Sequence, residues 1–296
     1  MNHLDLFSGI GGFALAAQQV WGVDYETIAF CDNDYFCQQV LKKNFPKVTV
    51  FGDIRTLTAN SISTNGRREN NESSQNQRGI ACKNRRESLQ SEDWKAYSDN
   101  IKSSVDLITG GFPCQPFSQA GRKRGKEDNR YLWPEMLRVI KEFQPTWIIG
   151  ENVAGIVNMV LNEVCLDLEA QGYEVQPIII PAVALNAPHR RDRVWIIAYR
   201  TGKRLGDSIR QSVQRGNKRF GINDNRNKSW EQDWVKVATE LCGLDDGLSK
   251  RLVRLSDGST ISYPRWRREA LKAYGNAIVP QVAVEIMKVI KGVSTN

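Results

Sequence analysis

A strand, a glycine turn and a helix open this chain, and the same strand–helix alternation then repeats. "LDLF" reads as a short strand, "SGIGG" as a turn and Phe13 to Trp21 as a helix. "TIAFCD" is a second strand, Asn33 to Asn44 a helix closing at Pro46, and "VTVFGDI" a third strand. Such alternation predicts a parallel sheet whose ligand site lies at the carboxyl ends of the strands. The rhythm returns at "SVDLITGGFPC", an apolar strand, followed by the amphipathic helix "YLWPEMLRVIKEF" and the strand "PTWIIGENV". Leu161 to Gln171 is a helix, and "YEVQPIIIPAVAL" and "RVWIIAY" are two further strands. The sheet thus reaches about seven strands. The last piece, "PRWRREALKAYGNAIVPQVAVEIMKVIKG", reads as a helix, a glycine turn and a closing helix.

Two stretches break the pattern. Residues 57–103 are rich in Asn, Ser, Gln and Arg and poor in core-forming side chains, and read as a solvated, partly disordered insertion. Glutamates interspersed among its arginines weigh against a nucleic-acid contact there. Residues 201–262 form a second change of character: from Lys203 to Trp230 there are eight Lys or Arg and two Asp. The chain of 296 residues accommodates a main domain and a small appendage. The expected division is a main α/β domain over 1–200, a small region over 201–262, and a segment over 263–296 that returns to the main domain.

A formal net charge of +8, clustered rather than spread, favours a polyanionic partner. Six scattered cysteines (Cys31, Cys37, Cys82, Cys114, Cys165, Cys242) form no CxxC pair, and only two histidines exist. No metal site is expected from such a ligand set. No apolar run is long enough for a membrane span, and the immediate strand at the N-terminus leaves no room for a signal peptide. Free thiols in a reducing cytoplasm are the expectation.

The chemistry-bearing residues fall at strand ends. Gly9, Gly11 and Gly12 allow a tight turn and a ligand lying against bare backbone, although dinucleotide folds use a similar loop and many glycine turns bind nothing. Asp32 follows the second strand, where a carboxylate can accept both hydroxyls of a ribose, and Asp53 follows the third, within reach of an adenine amino group. Together they favour an adenosine-containing cofactor. Cys114 ends the fourth strand in a rigid Pro-Cys-Gln-Pro turn. A buried cysteine is more often a small hydrophobe than a nucleophile. Glu151 at the neighbouring strand end shifts that balance, because a thiolate paired with a carboxylic acid suits addition to an electron-poor ring whose nitrogen needs protonating. His189, Arg190, Arg191 and Arg193 lead into the last strand; alone they read as a solvated basic turn, and opposite Cys114 and Glu151 an arginine there would bind a carbonyl oxygen or a phosphate.

These motifs, in this order, resemble those of the cytosine-C5 DNA methyltransferases of prokaryotic or phage type. "DLFSGIGGFALA" is similar to the family's first motif, "GGFPCQPFSQAG" to its cysteine motif and "GENV" to its glutamate motif. "RRDRVW" is similar to its arginine motif and "YGNAIVPQVA" to its last, cofactor-closing motif. The resemblance implies an α/β, Rossmann-like methyltransferase fold with a mostly parallel sheet and a small target-recognition domain. It implies S-adenosyl-L-methionine as cofactor and S-adenosyl-L-homocysteine as product. Phe7, Gly9, Ile10 and Gly11 would lie near the methionine part, Asp32 and Asn33 at the ribose, Asp53 and Ile54 at the adenine, and Asn276 and Ala277 at the methionine end. Double-stranded DNA would present a flipped-out cytosine. Cys114, with Gln115 beside it, would attack C6; Glu151 would protonate N3 and needs a raised pKa; Arg193, with Arg191 nearby, would bind O2; Asn152 would support the turn. Ser118, Arg122, Lys123, Arg124 and Lys126, in the loop after the cysteine, would reach DNA phosphates.

The family's Arg-Leu and Gly-Phe-Pro signature is absent from the space between Thr201 and Arg268, where "RLVRLSDG" is a degenerate echo, so a reduced recognition region is expected. A cytoplasmic monomer is expected, and a cognate restriction endonuclease is one candidate functional partner. A transfer-RNA cytosine-C5 methyltransferase of the same fold is the alternative; the Cys-Phe-Thr tripeptide of such relatives is absent. A nicotinamide-dependent oxidoreductase would leave Cys114, Glu151 and the arginines without a role, and a non-catalytic DNA-binding protein would leave every catalytic position unexplained.

Overall fold

A computed structural model describes residues 1–62, 105–113, 131–185, 187, 190–200 and 252–294. Among the described residues, seven strands form one sheet: β1 (Asn2–Leu6), β2 (Glu26–Cys31), β3 (Thr49–Phe51), β4 (Leu107–Gly110), β5 (Trp147–Val153), β6 (Tyr173–Pro181) and β7 (Asp192–Arg200). Their spatial order is β3-β2-β1-β4-β5-β7-β6. The first five pair in parallel, whereas β7 inserts between β5 and β6 and runs antiparallel to both. Chain order reverses between β1 and β4, so the loops after these two strands diverge and leave a crevice at their carboxyl ends.

Alternation along the strands separates two apolar faces. Leu4, Leu6, Ile108 and Ile148 face one cluster, completed by Trp133, Met136, Ile140 and Phe143 of α3 (Trp133–Phe143) and Val164 and Leu168 of α4 (Leu161–Glu169). The buried positions of α3 recur at three and four residues, the period that puts them on one helical stripe. On the opposite face Leu107, Trp147, Ile149 and Trp195 meet α1 (Gly12–Trp21) and α6 (Pro280–Ser294) through Phe13, Ala16, Ala17, Val282, Ala283 and Met287. The small alanines of α1 let the carboxyl-terminal helix pack closely against it.

Several boundaries move for local reasons. Helix α2 (Tyr35–Asn44) starts after Asp34, whose carboxylate accepts the Phe36 and Cys37 N–H groups as an N-cap. Strand β3 stops at Phe51 because Asp53 caps a short 3₁₀ turn, Ile54–Thr56. Strand β6 ends at Pro181, and Ala182–Leu185 turns as a 3₁₀ segment. Helix α5 (Tyr263–Asn276) runs through Gly275 instead of ending in a glycine turn; the chain becomes extended at Ala277. Burial also continues past residue 57. Leu57, Ala59 and Ile62 are in the core, and Arg138 of α3 donates to the Ile54 and Leu57 carbonyls, so the polar stretch sets in after Ile62. Strands β8 (Leu252–Arg254) and β9 (Thr260–Ser262) form a hairpin. With α5 it packs on α2, joining Leu255, Ala270 and Ala273 to Ile10, Phe36, Cys37 and Val40.

Candidate active site

Two loops at the chain-order reversal build the site. In the first, Phe7 and Gly9 adopt left-handed backbone, φ 52° and 54°, and Gly11 follows at 87° as the N-terminal flank of α1. Only glycine fits at Gly11, where an added Cβ would also stand 2.8 Å from the Phe45 ring. Phe7 holds the same backbone region at a steric cost, as residues bordering functional clefts often do. Ser8, which sequence reasoning passed over, pins the loop: its hydroxyl donates to the Asp5 carbonyl at 2.6 Å and accepts the Cys31 N–H at 3.2 Å.

Asp32 closes this loop onto β2. Gly9 N–H donates to one carboxylate oxygen at 2.7 Å and Asp34 N–H to the other at 2.8 Å. Burial raises the Asp32 pKa despite these two donors. Each oxygen keeps a lone pair, which suits a diol. Asn33 is exposed on the turn beside it. Asp53 lies one strand over and accepts Arg55 N–H at 3.0 Å, with Ile54 buried next to it. Cys31, between these carboxylates, has its thiol pushed up to about 12, chiefly by burial and then by Asp32, which makes it inert.

Strand β5, beside the loop after β4, brings the acid. Glu151 is buried at the end of β5 and pairs with Arg193 of β7, Oε1 to Nε, at 2.9 Å. Burial raises the Glu151 pKa, outweighing the opposing charges of Arg193 and Arg191. Gly111 lies beside the carboxylate, where an added Cβ would stand in ordinary contact, 3.4 Å from Glu151 Oε2. Asn152 donates to the Phe112 carbonyl at 2.8 Å and accepts its neighbour's Val153 N–H at 3.0 Å, tying the end of β5 to the segment that leads to Pro113. Cys114, Gln115, Ser118, Arg122, Lys123, Arg124 and Lys126 lie outside the described residues.

One cleft joins both loops. Phe7, Gly9, Ile10, Gly111 and Glu151 line it, together with Asn276, Ala277 and Ile278 from beyond α5. Gly12 of the glycine turn also borders it, whereas Ile278 did not stand out in the sequence as a site residue. Arg191 does not turn towards Glu151: its guanidinium donates to the Gly275 carbonyl twice, at 3.0 Å, and to that of Ala277 at 2.6 Å. A bare-backbone loop, a carboxylate with lone pairs left for a diol and a second carboxylate one strand away fit an adenosine-bearing cofactor. Among the described residues no cluster of ligating side chains could hold a metal ion, and no helix is long and apolar enough to cross a membrane.

The chain matches the family described as C-5 cytosine-specific DNA methylase over residues 1–66 and 71–250. It is 28% identical over 204 residues to the type II methyltransferase M.DsaV of Dactylococcopsis salina, covering 67% of this chain and 46% of that one. It is 29% identical over 204 residues to the type II methyltransferase M.PspPI of Psychrobacter sp., covering 67% and 39%. The chain therefore spans less than half the length of these curated relatives. A crystal structure of a Spodoptera frugiperda DNMT2 mutant is similar at 23% identity and a TM-score of 0.48, over 69% of this chain and 51% of that one.

Proposed function

This chain belongs to the C-5 cytosine-specific DNA methylase family, and from that premise we propose that it methylates C5 of cytosine in double-stranded DNA, using S-adenosylmethionine. The observation that carries the reading is Glu151, a buried acid of raised pKa, paired with Arg193 and abutting Gly111 just before Cys114 in the chain. A carboxyl whose hold on its proton is strengthened by burial, in a cleft shared with a cofactor loop, suits proton donation to a ring nitrogen.

The Cys114 thiolate adds to C6 of a flipped-out cytosine, forming a C–S bond as Glu151 delivers its proton to N3. The electron pair from the C5–C6 double bond becomes available at C5. Arg193 holds the Glu151 carboxyl in place and presents its remaining N–H groups to the base carbonyl O2. S-adenosylmethionine, when bound, would supply an electrophilic methyl group to form the bond at C5, with S-adenosylhomocysteine as the product. Loss of the C5 proton to a base restores the double bond and expels the Cys114 thiolate, and Glu151 recovers its proton from N3. Phe7, Gly9, Ile10 and Gly11 would hold the cofactor's methionine part, Asp32 the ribose, and Asp53 and Ile54 the adenine. Asn276 and Ala277 close the wall. Ser118, Arg122, Lys123, Arg124 and Lys126 contact DNA phosphates, and a cognate restriction endonuclease is the expected functional partner of a cytoplasmic monomer.

Incubating the protein with S-adenosylmethionine labelled in its methyl group, and with duplex DNA or transfer RNA in competition, tests this directly. 5-Methylcytosine should form in the DNA, and Cys114→Ser should abolish turnover. Label appearing in the RNA alone, or turnover persisting in the serine variant, would refute the assignment.

A further inference from the structure

Arg191 stands two residues before Arg193, just outside β7, and the two arginines serve different neighbours. Arg193 meets Glu151, in the pocket assigned to the base. Arg191 brackets the carbonyls of Gly275 and Ala277, at the end of α5, with three hydrogen bonds of 3.0, 3.0 and 2.6 Å. Helix ends leave carbonyls without intrahelical partners and carry partial negative charge, so a planar cation is well matched there. Asn276 and Ala277, between and beside those carbonyls, line the cleft against Phe7 and Gly9. The backbone of Arg191 is left-handed, φ 37°, a conformation costly for a residue with a side chain. The guanidinium has five N–H donors; three are used here and the Nε is enclosed without a partner. Little donor capacity remains for a phosphate or a base.

Resting on the methyltransferase reading above, we propose that Arg191 is a positioning residue that holds the Gly275–Ala277 wall of the cofactor cleft and links it to the Arg193–Glu151 pair. It acts on cofactor affinity before any DNA is present, and two residues of chain join it to Arg193, the partner of Glu151. A residue that contacted only base or phosphate would leave cofactor affinity untouched in the absence of DNA.

The test is calorimetric binding of S-adenosylhomocysteine, without DNA, to the full chain and to Arg191→Ala and Arg191→Lys, alongside duplex-DNA binding and thermal melting. Arg191→Ala should bind S-adenosylhomocysteine about tenfold or more weakly, the loss expected from removing charge-assisted hydrogen bonds. Duplex affinity should stay within about twofold, since DNA contact is not the role assigned. Low concentrations of guanidinium ion, but not of sodium ion, should restore binding to Arg191→Ala. If Arg191→Ala does not fold, Arg191→Lys carries the same comparison, because an ammonium cannot bracket two carbonyls. Unchanged S-adenosylhomocysteine affinity with weakened DNA binding would overturn the inference and leave the methyltransferase reading standing. Failure of the wild-type chain to bind S-adenosylhomocysteine would overturn that reading itself.

Discussion

Arg193 reaches Glu151 along a diagonal. In the antiparallel register of β5 and β7, Arg193 lies opposite Val153 and Glu151 lies opposite Trp195. The ion pair at 2.9 Å therefore joins residues one diagonal step apart on the same face, a distance that a long side chain spans. Because Glu151 is buried, removing its charge from water outweighs the attraction of the guanidinium, and its pKa is raised.

Replacing Glu151 by Gln keeps the shape and removes the proton. Turnover should fall roughly 10²–10⁴-fold, the span of general acid catalysis, with S-adenosylhomocysteine affinity changed far less. Stability carries a second signature. A carboxyl whose folded pKa is raised binds its proton more tightly in the folded state, so wild-type stability falls as pH rises from 4.5 toward the folded value. Urea unfolding at several pH values should show a shallower decline for Glu151→Gln; equal slopes would mean Glu151 is charged in the folded protein.

Asp5 gives a sharper case. It is wholly buried in β1, one oxygen accepting from the Thr109 hydroxyl at 2.7 Å and the other without a partner, and burial raises its pKa well above 3.8. The Thr109 hydroxyl also meets His3, a buried imidazole whose pKa burial lowers to about 3. Asp5→Asn keeps the acceptor for Thr109 and has nothing to ionise. Below pH 3.8 it should match the wild type. Above that value its relative stability should grow by up to about 1.4 kcal/mol per pH unit until the folded pKa is passed. A difference independent of pH would show that Asp5 is ionised in the native state.

Gly12→Ala should press on the cofactor wall. The new Cβ would stand 2.8 Å from Ile278 Cγ1, a branch near the backbone with little freedom to give way. Overpacking of this kind costs about 1–3 kcal/mol. Ile278→Ala removes the clashing atom, so the double variant should recover much of the loss in chemical denaturation and in S-adenosylhomocysteine binding. Additive losses in the two single variants would place the strain elsewhere.

Asn152→Ala removes the amide that holds the Phe112 carbonyl at 2.8 Å. An unsatisfied buried carbonyl costs about 1–3 kcal/mol, measurable by denaturant unfolding. Turnover should fall further than stability accounts for, because the segment so held leads directly to Cys114. Full activity at saturating substrates would mean that the turn needs no such support.

The local rhythm of this sequence determined the seven-stranded α/β core, the left-handed glycine loop after β1 and the placing of Asp32, Asp53 and Glu151 at strand ends. Those features repeat every two or every three to four residues, and side-chain alternation and helical stripes are imposed by neighbours along the chain. Partner choice across the chain has no such period. The tertiary structure alone decided that β7 inserts antiparallel between β5 and β6, which creates the diagonal from Arg193 to Glu151. It alone turned Arg191 onto carbonyls 84 and 86 positions away, and set Lys272 against Asp34, 238 positions away, at 2.5 Å. It also carried the core on to Ile62, in a stretch whose composition reads as solvated. Burial did the rest: whether Glu151 keeps its proton depends on the water excluded around it, a property of packing that no run of neighbouring residues encodes.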